Sequence, residues 1–151
     1  MRPPAAEPVA TFHPASSDAG APLFIGTAGW SLPRASPHPF TARADSPAEP
    51  HLARYARQLT AVEINSSFYR PHQRATYQRW AAATPAGFRF CVKLPRSITH
   101  DARLKNSEAL LQTFLEQASG LGDRLGCLLV QLPPSLALDA PLARAFFASL
   151  R

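Results

Sequence analysis

The stretch AVEINSSFYR, residues 61–70, places a carboxylate, Glu63, between the aliphatic residues Val62 and Ile64. Charged side chains are seldom fully buried without a partner, so this one calls for a role. Asn65 and Ser66 follow it, then Tyr69. Three other segments end in comparable residues: Thr27 and Trp30 in GTAGW, Lys93 and His100 in FRFCVKLPRSITH, and Gln131 in LLVQLPPS. Glu63 has the chemistry of a general base, its pKa raised by partial burial. Lys93 could neutralise an oxyanion or phosphate, or form a Schiff base. His100 could act as general acid or ligand. Thr27, Asn65, Ser66 and Gln131 could hydrogen-bond a polar substrate, and Trp30 and Tyr69 could form a stacking wall. The set suits proton transfer or hydrolysis on a small polar, sugar-like or phosphorylated substrate, without naming the reaction. The same residues also have a structural reading. Glu63 and Lys93 would then be an ion pair capping the core, Trp30 and Tyr69 would pack loops, and Thr99 and His100 would orient the segment before a helix.

The elements that must position these residues follow a repeating order. Short apolar runs at Leu23–Gly29, Ala61–Asn65, Phe88–Lys93 and Leu125–Leu132 read as strands. Stripes with helical spacing lie between and after them: Leu52, Tyr55, Ala56, Leu59; Tyr77, Trp80, Ala81, Thr84; Leu110, Leu111, Phe114, Leu115, Ala118; and Ala143, Phe146, Phe147, Leu150. Ser46 with Pro47 and Glu49 forms a capping signal for the first helix, which could instead begin at Pro50. Asp139 caps the last helix, with Pro141 tolerated in its first turn. Consecutive βα units imply an α/β fold with a parallel sheet, either open or closed into a barrel. Alternation turns Glu63 and Asn65 to one face and Val62 and Ile64 to the other. The candidate residues therefore gather at the carboxyl edge of the sheet, where α/β folds bind ligands.

Composition narrows the classes. The chain has 151 residues, 46% hydrophobic, enough for one domain with a packed core. Its formal charge is +6 and its sequence pI about 10.2. The charge is scattered arginine; Lys93 and Lys105 are the lysines. A nucleic-acid- or phosphate-binding protein without catalysis is the alternative function, using Arg54, Arg57, Arg70, Arg74, Arg79 and Arg96. GTAGW lacks both the dinucleotide and the Walker spacings, and no H-E-x-x-H or other local metal motif occurs. The cofactor is left unknown. His13, His38, His51 and His72 lack ligand spacing and are expected in solvent. Cys91 and Cys127 sit in apolar runs and read as small strand hydrophobes in a reducing cytoplasm. Residues 1–22, rich in Pro and Ala, read as a disordered tail without a signal-peptide core. No apolar run reaches the length of a membrane span.

Residues 23–151 resemble the YecE-like family, a bacterial and archaeal domain of unknown function. The resemblance rests on IGTAGWS, YA followed by AVEINSSFYR, W-x-x-x-TP-x-x-F-x-F-x-VK-x-P-x-x-ITH, and LG-x-LLVQLPPS. It implies a TIM-type β/α barrel and no established reaction. The loop SLPRASPHPFTARADSP lacks an aromatic-rich segment found in many relatives. A TIM barrel needs eight βα units, whereas four are present here, so the expectation is the N-terminal half of a barrel. The family's later Glu-Pro-Arg, R-L-H-G and Asn-containing strands are absent. A half barrel exposes two strand edges and an apolar inner face. Self-association or a partner chain is therefore expected, and a truncated, non-functional remnant is a further alternative.

Overall fold

A computed structural model describes residues 22–31, 40 and 48–150. The expected tail up to residue 21, Ser46, Pro47, His13 and His38 lie outside those residues. Within them the order is α1 (His51–Ala56), β1 (Ala61–Ile64), α2 (Arg74–Ala82), β2 (Arg89–Lys93), α3 (Glu108–Ala118), β3 (Leu125–Leu129) and α4 (Ala140–Ala148). The strands form one parallel sheet in the order β1-β2-β3, with Glu63 opposite Cys91 and Cys91 opposite Cys127. Neighbouring parallel strands need a crossover, and α2 and α3 supply the two. Among the described residues no helix is long and apolar enough to cross a membrane.

Alternation decides what each face does. Val62, Ile64, Phe90 and Val92 are buried and share a core with Tyr77, Leu111, Phe114, Ala118 and Leu121 from the crossovers. Their neighbours Ala61, Glu63, Arg89, Cys91 and Lys93 are only partly buried. Helical spacing predicts the core side of α3 at Leu111, Phe114 and Ala118, but Leu110 is exposed at its margin. In α4 the expectation likewise holds at Phe146 and fails at Phe147, which is 49% exposed. Asp139 caps α4, accepting from Leu142 N at 3.0 Å. Pro50 occupies the N-cap position of α1 without a side-chain cap bond, while Glu49 pairs instead with Arg57.

The expected first strand takes another form. Residues 22–28 lie alongside β1, with a parallel bridge between Ala28 and Glu63. Ile25 O accepts from Thr60 N and Ala61 N at 3.1 and 3.0 Å, and Thr27 O from Glu63 N at 2.9 Å. The segment's own donors, however, go to side chains. Ile25 N bonds Thr60 Oγ1 at 2.8 Å, and Thr27 N bonds the Tyr55 hydroxyl at 2.8 Å. That hydroxyl donates in turn to Ala61 O at 3.0 Å. Tyr55 is thus interposed where a regular ladder would place a direct bond, and it is fully buried there. Gly26 permits the close approach: a Cβ at this position would lie 2.0 Å from Ala61 O.

The two cysteines also depart from expectation. They face the side away from the helices, with Cys127 exposed and Cys91 half-buried. Alternation with buried Phe90 and Val92 turns Cys91 that way, and a bulge between β2 and β3 turns Cys127. Phe90 pairs with Leu125 but Cys91 with Cys127, leaving Gly126 as the extra residue.

Candidate functional site

The carboxyl end of β1 runs directly into a short 3-10 turn, Ser66–Phe68. Asn65 O begins the turn by accepting from Phe68 N at 3.1 Å. Ser67 is buried beneath it, its Oγ 2.8 Å from Ile64 O and 2.6 Å from Lys93 O. One hydroxyl thereby ties the ends of β1 and β2 together and leaves the side chains of its neighbours to project outward.

Five of the sequence-derived candidates then meet. Trp30, Glu63, Asn65, Ser66 and Tyr69 line a cavity of about 380 Å³, with Ala28, Gly29 and Ser31 completing it. Two polar groups are left open in this arrangement. Asn65 Oδ1 is buried without a hydrogen-bond partner, a costly state for an amide oxygen. No ion pair among the described residues engages Glu63, so the expected Glu63–Lys93 pair is not formed. Lys93 Nζ stands 4.5 Å over the Phe68 ring instead, where the face of the ring attracts the ammonium.

Phe68 is a hub that sequence reasoning did not single out. His100 and Tyr69 each meet its ring edge-on at 4.9 Å. Thr99 Oγ1 fixes the imidazole of His100 through Nδ1 at 2.9 Å. Thr99 itself is buried in the π-helical turn Ser97–Asp101 that follows β2. Lys93 and His100 therefore flank Phe68 rather than lining the cavity, with Tyr69 between the two groups.

His72 is a second omission. It is partly buried rather than solvent-exposed, its Nε2 lying 2.8 Å from Ser66 Oγ. Its ring packs on Trp80 at 5.0 Å and on Tyr77 at 5.8 Å. Trp80 in turn holds Trp30 edge-on at 5.2 Å. A continuous contact from Ser66 through His72 and Trp80 to Trp30 thus backs the cavity. Burial, and then the nearby Arg70 charge, hold the His72 pKa below its ordinary 6.5, so the neutral ring is favoured. His51 is likewise partly buried, against Phe40. The aromatic run Trp80–Tyr77 was legible as helix core; its second use as a support for the cavity needed the fold.

Thr27 and Gln131 are placed elsewhere. Thr27 Oγ1 donates to Gly29 O at 2.6 Å and lies 3.0 Å from the Tyr55 hydroxyl, bracing the turn that carries Trp30. Gln131 is exposed beyond the end of β3 and does not line the cavity. Among the described residues, no group of three or more His, Cys, Asp or Glu side chains could hold a metal ion.

Residues 24–151 match the family model described as "Protein of unknown function DUF72". The chain belongs to the DUF72 family. It is similar to the UPF0759 protein YecE of Escherichia coli strain K12, 34% identical over 111 residues, covering 74% of this chain and 38% of that protein. Among solved structures it is similar to a DUF72 protein of Thermotoga maritima MSB8, with TM-score 0.59, 23% identity, and 84% of this chain matched to 50% of the other. A DUF72 protein of Enterococcus faecalis V583 gives TM-score 0.58 at 20% identity, covering 84% of this chain and 45% of that one. The chain thus spans half or less of the length of these DUF72 relatives. Their likeness establishes the shared α/β fold, which the resemblance read from GTAGW, AVEINSSFYR and LLVQLPPS anticipated.

Proposed function

We propose that this DUF72 chain is a half barrel whose carboxyl edge binds a small polar ligand between Trp30 and Tyr69. The observation that carries this reading is the single cavity shared by Trp30, Glu63, Asn65, Ser66 and Tyr69. An orphaned amide oxygen, an uncompensated carboxylate and two aromatic rings suit a ligand with several O–H or N–H donors and an apolar face. A sugar or a nucleoside has that character. A phosphorylated ligand is disfavoured in the cavity itself, because the charge on its wall is the Glu63 carboxylate. Lys93 and His100, across Phe68, are placed to serve a longer substrate that extends past Tyr69. If chemistry follows binding, Glu63 is the proton acceptor.

Ligand-observed NMR with a panel of neutral monosaccharides and nucleosides tests the reading, with their phosphates in parallel. Binding of a neutral member that is lost in Glu63→Gln and Tyr69→Ala is the expected result. Unchanged binding in Glu63→Gln would remove the carboxylate from the site. Selective binding of the phosphates would favour the phosphate or nucleic-acid alternative. Two observations already weigh against that alternative: Arg57 is paired with Glu49 and Arg96 with Asp101.

The half-barrel reading also carries an assembly proposal. Support for it comes from three parallel strands in sequence order with residues 22–28 hydrogen-bonded alongside β1, the order that four consecutive positions of an eight-stranded barrel would have. Leu23, Phe24 and Ile25 stay exposed on one edge segment, and β3 is the opposite edge. In protein consisting of residues 1–151, a second copy supplies the missing units. Static light scattering coupled to size exclusion should then read a dimer, and a stable monodisperse monomer would refute the assembly.

A further inference from the structure

The face of the sheet away from the helices carries a second feature, separate from the Trp30–Tyr69 cavity. Cys91 on β2 and Cys127 on β3 are directly opposite one another across the parallel ladder. The register is a product of the bulge. If Gly126 paired regularly instead of bulging, it would sit opposite Cys91, and alternation would turn Cys127 to the helix-covered side opposite Val92. Both thiols border a cavity of about 480 Å³ formed with Phe24, Ala61, Arg89, Phe90, Leu125 and Gly126. Cys127 is exposed and Cys91 lies deeper. Laterally opposed residues on neighbouring strands have Cα separations within the range that a disulfide accepts.

We propose that Cys91 and Cys127 are a reversible dithiol–disulfide pair, oxidised by low-molecular-weight disulfides of the glutathione class, whose closure bonds β3 covalently to β2. The accessible Cys127 reacts first. Its thiolate attacks one sulfur of glutathione disulfide, the S–S bond of that molecule breaks, and one glutathione thiolate leaves. Cys91 then gives up its proton and attacks Cys127 Sγ. The Cys127–glutathione bond breaks and the second glutathione departs. Two protein thiols have lost two electrons, and one glutathione disulfide has become two glutathiones.

The order of events has a physical basis. Burial, and then the neighbouring Cys127 and Glu63, push the Cys91 thiol up to about 12. Cys91 is therefore a poor first nucleophile. Once Cys127 is in a mixed disulfide, its negative charge is gone and one cause of that elevation disappears. Proximity then favours the intramolecular attack. Burial persists, so resolution is slower than capture.

Tryptic mass spectrometry under non-reducing conditions reads the outcome on full-length protein incubated with glutathione disulfide. The expected product joins the peptide of residues 90–93 to that of residues 125–144 and disappears on treatment with dithiothreitol. Cys91→Ser should accumulate the glutathione adduct on Cys127, and Cys127→Ser should react far more slowly. Circular dichroism of both variants confirms that they fold. A persistent Cys127 adduct with Cys91 still free in the unmodified sequence would overturn the proposal, as would a disulfide joining two copies through Cys127. Failure of the cavity proposal between Trp30 and Tyr69 would leave this result untouched, since neither cysteine lines that cavity.

Discussion

β1 and β2 present two faces made from alternate residues of the same short runs, and the faces behave differently. Val62, Ile64, Phe90 and Val92 are at most 1% exposed, locked against residues from α2, α3 and their adjoining turns. Ala61, Glu63, Arg89, Cys91 and Lys93, one position away, are only partly buried and contribute little to that core. The contrast separates stability from chemistry within a span of a few residues. The apolar set removes large surfaces from water and gives the sheet its register. The polar set is thereby free to carry a carboxylate, a thiol and an ammonium without those groups having to hold the fold together.

The contrast is broken most directly by comparing one substitution on each face of the β1–β2 pair. Phe90→Ala should lose about 3–5 kcal/mol, much of the stability of a domain this size. Glu63→Gln on the other face should stay within about 0.5 kcal/mol. Urea unfolding of both variants provides the check, and similar losses would show that the face away from the helices also bears the fold. A smaller effect concerns the boundary between the faces. Tyr55→Phe leaves Thr27 N and Ala61 O without the hydroxyl that joins them, at a cost of about 1–3 kcal/mol. Amide hydrogen exchange should speed up at Thr27 and Glu63 while Phe90 and Val92 keep their protection. Uniform acceleration would mean that residues 22–28 and the sheet open as one unit.

The smallest expected effect is on the cavity's backing. His72 is held below its ordinary 6.5 by burial and Arg70, so the unfolded chain binds the proton first. As pH falls below 6.5, thermal stability should decline, levelling once the folded His72 is also protonated. Above 6.5 the ring is neutral in both states and adds no pH dependence. His72→Gln should flatten the decline. An unchanged profile would assign it to other groups.

Much of this architecture was readable beforehand because it rests on local rules. Asp139 capping α4, the core stripe Leu111–Phe114–Ala118 and the alternation in AVEIN each need only neighbours in the chain. Glu63, Asn65, Ser66 and Tyr69 were also within reach, since they follow one strand end in a single segment. Phe68 and His72 were not. Their importance comes from Lys93, His100, Trp80 and Trp30, which reach them from other elements. The Glu63–Lys93 pair failed for a related reason: opposite charge suggested it, but the Phe68 face competes for the ammonium.

By itself, the amino-acid sequence determined the α/β class, the order of the helices and strands and which face of β1 would be buried, because hydrophobic periodicity and capping act over a few residues. Only the tertiary structure decided three other matters. Tyr55 replaces a strand-to-strand bond, the bulge at Gly126 sets Cys127 opposite Cys91, and α2 supports Trp30 from behind. Each depends on where two distant segments meet, and that is settled by packing and by the need of buried polar groups for partners, neither of which a local pattern encodes.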